Sequence, residues 1–150
     1  LREILSKPKM KTVMTPRPRK ASEPREKIRF TLVIPEIPLL RNRLEGKHWW
    51  AKHKERDRWR VLILCQVLSL PVHQRPIQPL ERANLRLVRH TPRACDPLAV
   101  AESFKYVVDA LIEARVLTDD SHKHVQFEPQ PSWVKCAGKH QHITVEVTEL

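Results

Sequence analysis

Apolar and β-branched residues run together from Ile28 through Phe30, Leu32 and Val33 to Ile34 and stop at Pro35, which predicts a strand. Pro35 to Glu45 reads as a loop, followed by Gly46. From about Lys47 to Leu70 the residues predict a helix, broken by Pro71. Its first half is basic and aromatic; its second half, Val61 to Leu70, is apolar and is expected to be buried. Pro71, Pro76 and Pro79 mark a connecting loop. Ala83 to Arg89 alternates, with Leu85 and Leu87 on one face and Arg86 on the other, as a half-buried strand does. Asp96 suits an N-cap and Pro97 a first helical turn, so a second helix should run to about Ala114. Val100, Phe104, Val107 and Leu111 form its core stripe. Val116-Leu117 leads into a polar turn, Thr118-Asp119-Asp120-Ser121. Lys123 to Phe127 is an expected strand, ended by Pro129 and Pro131, and His142 to Val147 alternates as the last one. The order β-α-β-α-β-β predicts an α/β (α+β) fold, a single small domain with a mixed β-sheet packed against two helices.

Residues 1–27 break this regularity. Pro8, Pro16, Pro18 and Pro24 interrupt any helix and basic residues outnumber acidic ones, so the segment is expected to be a disordered basic tail ahead of a folded domain over 28–150. Charged residues are 30% and hydrophobic ones 41% of the 150, which fits one globular core. No apolar run approaches the roughly 18–20 residues of a membrane span, and the first thirty residues lack a signal peptide's apolar centre. Cys65, Cys95 and Cys136 are scattered and odd in number, which excludes a disulfide scaffold or a zinc ribbon and points to a reducing, cytoplasmic location.

Charge narrows the partners. Lys+Arg number 28 against 17 Asp+Glu, a formal net charge of +11. A field of that sign draws in polyanions, nucleic acid first and anionic membrane second. Lys47, Lys52, Lys54, Arg56, Arg58 and Arg60 on the first helix are the candidate phosphate contacts. Trp49, Trp50 and Trp59 could stack on exposed bases. Trp49 and Trp50 point about 100° apart on a helix, so core packing is the expectation for two of the three tryptophans.

Within this basic chain the acids cluster. On a helical wheel Leu98, Glu102, Lys105, Asp109 and Ile112 share one stripe, Asp96 heads the helix, and Asp119 and Asp120 follow it on a turn that could fold back. Grouped carboxylates repel unless a cation or base joins them. Mg²⁺ would resolve that, since it prefers carboxylate oxygens, and beside phosphate-holding cations such a site suits phosphodiester cleavage. The structural alternative is a cap at Asp96, a surface Lys105–Asp109 pair and a plain turn at Asp119-Asp120.

The run Asp96-Pro97-Leu98-Ala99-Val100, then Lys105, Asp109-Ala110-Leu111 and Asp119-Asp120-Ser121, resembles the RusA family of Holliday-junction resolvases, whose pattern is D-x-D-N-L, a lysine, D-A-L and a D-D pair. The basic segment Asn42 to Arg60, with His48-Trp49, is similar to the family's N-terminal region, and the likeness spans roughly Ile28 to Val147. The resemblance implies a small α/β homodimer that binds four-way DNA junctions and nicks two strands symmetrically with Mg²⁺, in recombination, repair or phage replication, inside the host cell and with no membrane partner. Position by position it implies a catalytic set of Asp96, Lys105 and Asp120, with Asp96 and Asp120 on the metal; Asp109 matches the helix aspartate, whose role is open.

One departure is large. The family's second aspartate is Leu98 here and its asparagine is Ala99. A leucine neither ligates a metal nor takes a proton. Glu102, one turn along, and Asp119 are the substitute metal ligands the sequence offers. Two alternatives therefore stand beside the endonuclease: an impaired relative that binds junctions without cutting, and a basic DNA-binding protein with no catalytic site. Of the other residues, His122 with His124 and His140 with His142 share sides of their strands but form no metal pattern, and Cys95 has no base implied beside it.

Overall fold

The structure, a computed structural model, describes residues 25–150. The expected tail over residues 1–27 therefore lies almost wholly outside the described residues. Of its last three, Arg25 pairs with Glu149, which also accepts the Ile28 amide at 2.8 Å.

Five strands make one mixed sheet. β1 (Arg29–Ile34) and β2 (Ala83–Thr91) flank β5 (His142–Glu149), and both run antiparallel to it. On the other edge of β2, β3 (Val125–Gln126) pairs in parallel at Ala83–Asn84, and β4 (Ser132–Lys135) pairs in parallel at Val88–Thr91. A parallel neighbour requires a crossover, and two helices supply it: α3 (Pro97–Ser103) and α4 (Lys105–Glu113). Ahead of β2 lie a one-turn helix, α1 (Arg41–Leu44), and the long α2 (Trp49–Ser69).

The mixed α+β class and the single small domain agree with the sequence reading. So does the core stripe, since Val100, Phe104, Val107 and Leu111 are all buried. They pack with Trp59, Ile63 and Val67 of α2 against Phe30, Leu32, Leu85, Leu87, Val145 and Val147 of the sheet.

Four details differ from expectation. The second helix is two. Phe104 sits between α3 and α4 at φ −80°, ψ −3°, and its N–H turns to Ala101 O. The buried Ser103 hydroxyl donates to Val100 O at 2.7 Å, a side-chain bond of the kind that bends helices. The second half of α2 is not buried throughout: Ile63 and Val67 are, but Val61, Leu64 and Leu68 face outward, because a helix turns only one stripe toward its sheet. Of the three tryptophans only Trp59 is core, while Trp49 is 65% and Trp50 57% exposed. The buried stripe Glu55-Trp59-Ile63-Val67 drifts about 40° per step of four residues. Carried back, it passes through half-buried Ala51, from which Trp49 and Trp50 point about 160° and 100° away. Finally, β4 and α1 add to the expected elements. β4 is an edge strand, with only Trp133 part-buried, so no alternation announces it.

Candidate functional site

The site is built where α1, α2, α3 and α4 meet, and a buried acid sets its geometry. Glu55 accepts Trp59 Nε1–H at 2.9 Å, Arg58 at 2.9 and 3.1 Å, and the Leu39 amide at 3.3 Å. Burial raises the Glu55 pKa, but these donors outweigh it and hold the carboxyl below its ordinary value. Arg58 reaches on to Glu36 at 2.8 Å and to Ile37 O at 3.3 Å. Buried Arg89 donates to Pro38 O at 2.5 Å. Together they fasten the loop 35–40 onto α2 and β2. That loop's Leu39, with Leu44 of α1, walls a cleft of about 400 Å³ that also takes in Glu45, Lys52, Glu102 and Lys105.

Lys105 opens α4 and faces two spaces. Besides that cleft it lines a second cavity of about 280 Å³, floored by Leu87, Phe104 and Val108, with Asp120 on its rim. The half-buried Asp109 lies one turn beyond Lys105. Burial holds its carboxyl above the ordinary value; Lys105 and Arg56 pull it down, while Asp120 and Glu113 push it up. Lys105, Arg56, Asp120 and Glu113 thus all stand near enough to Asp109 for their charges to act on its carboxyl. Arg56 comes from α2, and its Nε is shielded from water without a hydrogen bond.

The turn that delivers Asp120 is anchored rather than loose. α4 ends with Arg115 in the left-handed region at φ 61° and with the Val116 amide on Leu111 O at 3.0 Å, a helix stop that glycine usually makes. Leu117 then bridges to Leu80, and the Thr118 hydroxyl donates to Leu80 O at 3.0 Å. Asp119 next accepts the Asp120 amide at 2.8 Å, and this bond, with the Ser121 side chain, keeps its carboxyl below the ordinary value. One of its two oxygens thus serves the turn.

The remaining candidates are dispersed. Asp96 holds the N-cap position of α3, but its side chain makes no cap hydrogen bond; it is exposed and lines neither cavity. Leu98, in the place of the motif's second aspartate, is 74% exposed. Glu102 lines the 400 Å³ cleft, whereas Asp120 lines the 280 Å³ cavity. Among the described residues no group of three His, Cys, Asp or Glu side chains is gathered that could hold a metal ion. What is gathered is Asp109 and Asp120 beside Lys105, and oxygen donors of that kind suit Mg²⁺, which one or two carboxylates plus substrate phosphates commonly hold.

The basic residues of α2 divide. Arg58 is engaged with Glu55 and Glu36, and Arg60 with Asp57 and Glu113, so both brace the fold. Lys47, Lys52 and Lys54 are exposed and, among the described residues, pair with no carboxylate. Of the histidines, His142 does not act with His140 as a pair of ligands: its Nδ1 bonds His140 O at 2.6 Å, and its ring stacks on His90 across the strands at 4.0 Å. Cys95 is half-buried, with Sγ on Arg93 O at 3.6 Å.

Sequence reasoning gave Glu55 no role. The signal was present as an acid four residues before a tryptophan, with Arg58 between them. No protein-family model and no curated protein matches the chain.

Proposed function

We propose that the protein is a RusA-like, structure-specific endonuclease that binds four-way DNA junctions and nicks them with Mg²⁺, acting as a homodimer whose two equivalent sites face two equivalent strands. The observation that carries this reading is the position of Lys105, an amine on the wall between an open cleft and the Asp109–Asp120 carboxylates, within a chain of net charge +11. Lys52 and Arg56 would receive the phosphates, and Lys105 would offset charge on the scissile phosphoryl group. The resemblance assigns Asp120 and Asp96 to the ion; of the two, Asp120 is the one near Asp109 and in the cavity that Lys105 lines. When bound, Mg²⁺ would polarise the phosphodiester and activate water. The half-buried Asp109, one helical turn from Lys105, is positioned to aim that lysine's amine.

Substituting Asp120→Asn or Lys105→Ala tests the roles. Junction nicking should fall by about 100-fold or more, the scale for removing one group that stabilises transition-state charge, while junction binding in EDTA holds within a few-fold. Unchanged nicking in both variants would remove this site from the reaction.

A second reading has its own support. Leu98 replaces a motif aspartate and stands 74% exposed, and Asp96 lies off both cavities. These favour a relative that grips junctions without cutting them. Titrating a synthetic four-way junction with and without Mg²⁺ separates the two, because binding without nicks under both conditions selects the second.

A further inference from the structure

Two adjacent tryptophans stand in the open at the start of a 21-residue helix, Trp49 at 65% and Trp50 at 57% exposed. Neither belongs to the core, and each ring has a histidine beside it. Trp49 meets His53 edge-to-face at 5.1 Å and His48 at 5.7 Å, and Trp50 has His48 at 6.2 Å. The helix is delivered by Gly46 at φ 73°, a left-handed turn that only glycine takes without strain.

The charge flanking the rings is mainly positive, with Glu45 the nearest acid before them in the chain. Lys47 precedes them, and Lys52 and Lys54 follow within about a turn. The first turn of α2 contains no acid, and His48 makes no side-chain cap there. Lys52 also lines the cleft that Lys105 lines, so the rings lie about one helical turn from the proposed site. A purely apolar protein partner would gain nothing from three ammonium groups that pair with no carboxylate among the described residues. A nucleobase offers a π-face to each ring and carries its phosphate toward the lysines. Aromatic rings interleaved with cations are the usual platform for unstacked bases, and bases unstack most easily at a branch point.

We infer that Trp49 and Trp50 form a stacking platform for unpaired nucleobases at the branch point of the DNA, with Lys47, Lys52 and Lys54 on the adjoining phosphates. The inference rests on the nucleic-acid reading above and adds the feature that distinguishes branched from linear substrate: the duplex arms meet the lysines, and the open centre meets the rings.

The test uses the full chain in EDTA, so that binding alone is read. Fluorescence anisotropy compares a four-way junction with a linear duplex of equal length at one salt concentration, for wild type and for W49A/W50A. Stacking on one base is worth roughly 5- to 150-fold in affinity. The double variant should therefore lose about tenfold or more on the junction, stay within twofold on the duplex, and keep its salt slope. A 2-aminopurine at the branch point should be quenched by wild type and not by the variant. Equal losses on both DNAs, or no loss on either, overturns the inference. So does a wild-type dimer that W49A/W50A turns into a monomer in sedimentation, since the rings would then serve self-association. A wild type that shows the expected selectivity but never nicks with Mg²⁺ overturns the endonuclease reading and leaves this inference standing; a wild type that nicks junctions while W49A/W50A binds unchanged does the reverse.

Discussion

Glu55 shows how much one residue can decide. Its carboxylate is buried, takes hydrogen bonds from Arg58, Trp59 and Leu39, and is held below its ordinary value of 4.5. A group whose folded pKa is depressed stabilises fully above its unfolded pKa, and that contribution is lost as pH falls through the folded value. Glu55→Gln should therefore destabilise the protein at pH 7 by about 1–3 kcal/mol. In urea titrations at pH 7 and pH 3 the gap between wild type and variant should narrow toward acid; a gap that stays constant would show that ionisation of Glu55 contributes nothing. Arg115 gives the opposite case. At φ 61° it occupies a conformation that costs an L-residue roughly 1–2 kcal/mol and glycine almost nothing. Arg115→Gly should raise the unfolding free energy by about 1 kcal/mol, and a lower urea midpoint would contradict the reading of that turn.

At the scale of elements, what could be read from the chain depended on whether one surface imposed one period. β1, β2 and β5 alternate because a single face of each meets the helices, and the stripe from Val100 to Leu111 repeats because the sheet lies on one side of it. The break at Phe104 was not legible, since it comes from a hydroxyl turning back onto Val100 O in a sequence whose apolar spacing runs straight through. β4 stayed hidden because pairing with β2, rather than burial, defines it. The site divided similarly. Lys105, Asp109 and Asp120 were legible as a helical pair and a turn that could fold back, whereas which cavity each acid lines, Glu102 one and Asp120 the other, was not, because it depends on how the helices meet. The long helix offers a direct check on the packing. Trp59→Ala should cost about 3–5 kcal/mol, and Leu64→Ala, on the outward face, under about 0.5 kcal/mol. Comparable losses in chemical denaturation would mean that the outer stripe is covered by another surface in solution.

The whole molecule is a cationic body with an acidic point in it. The net charge of +11 favours any polyanion, so affinity for DNA by itself discriminates little, and it should fall steeply with salt on every DNA. On the proposed reading discrimination comes from the exposed Trp49 and Trp50, set one helical turn from a cleft that the Leu39 loop and Lys105 line. The most direct measurement is a strand-nicking assay of the purified protein on a synthetic four-way junction, set beside a linear duplex of the same sequence, with Mg²⁺ and with EDTA. The account predicts paired nicks on the junction with Mg²⁺ and none on the duplex or in EDTA; a junction left uncut with Mg²⁺, bound or not, would contradict it.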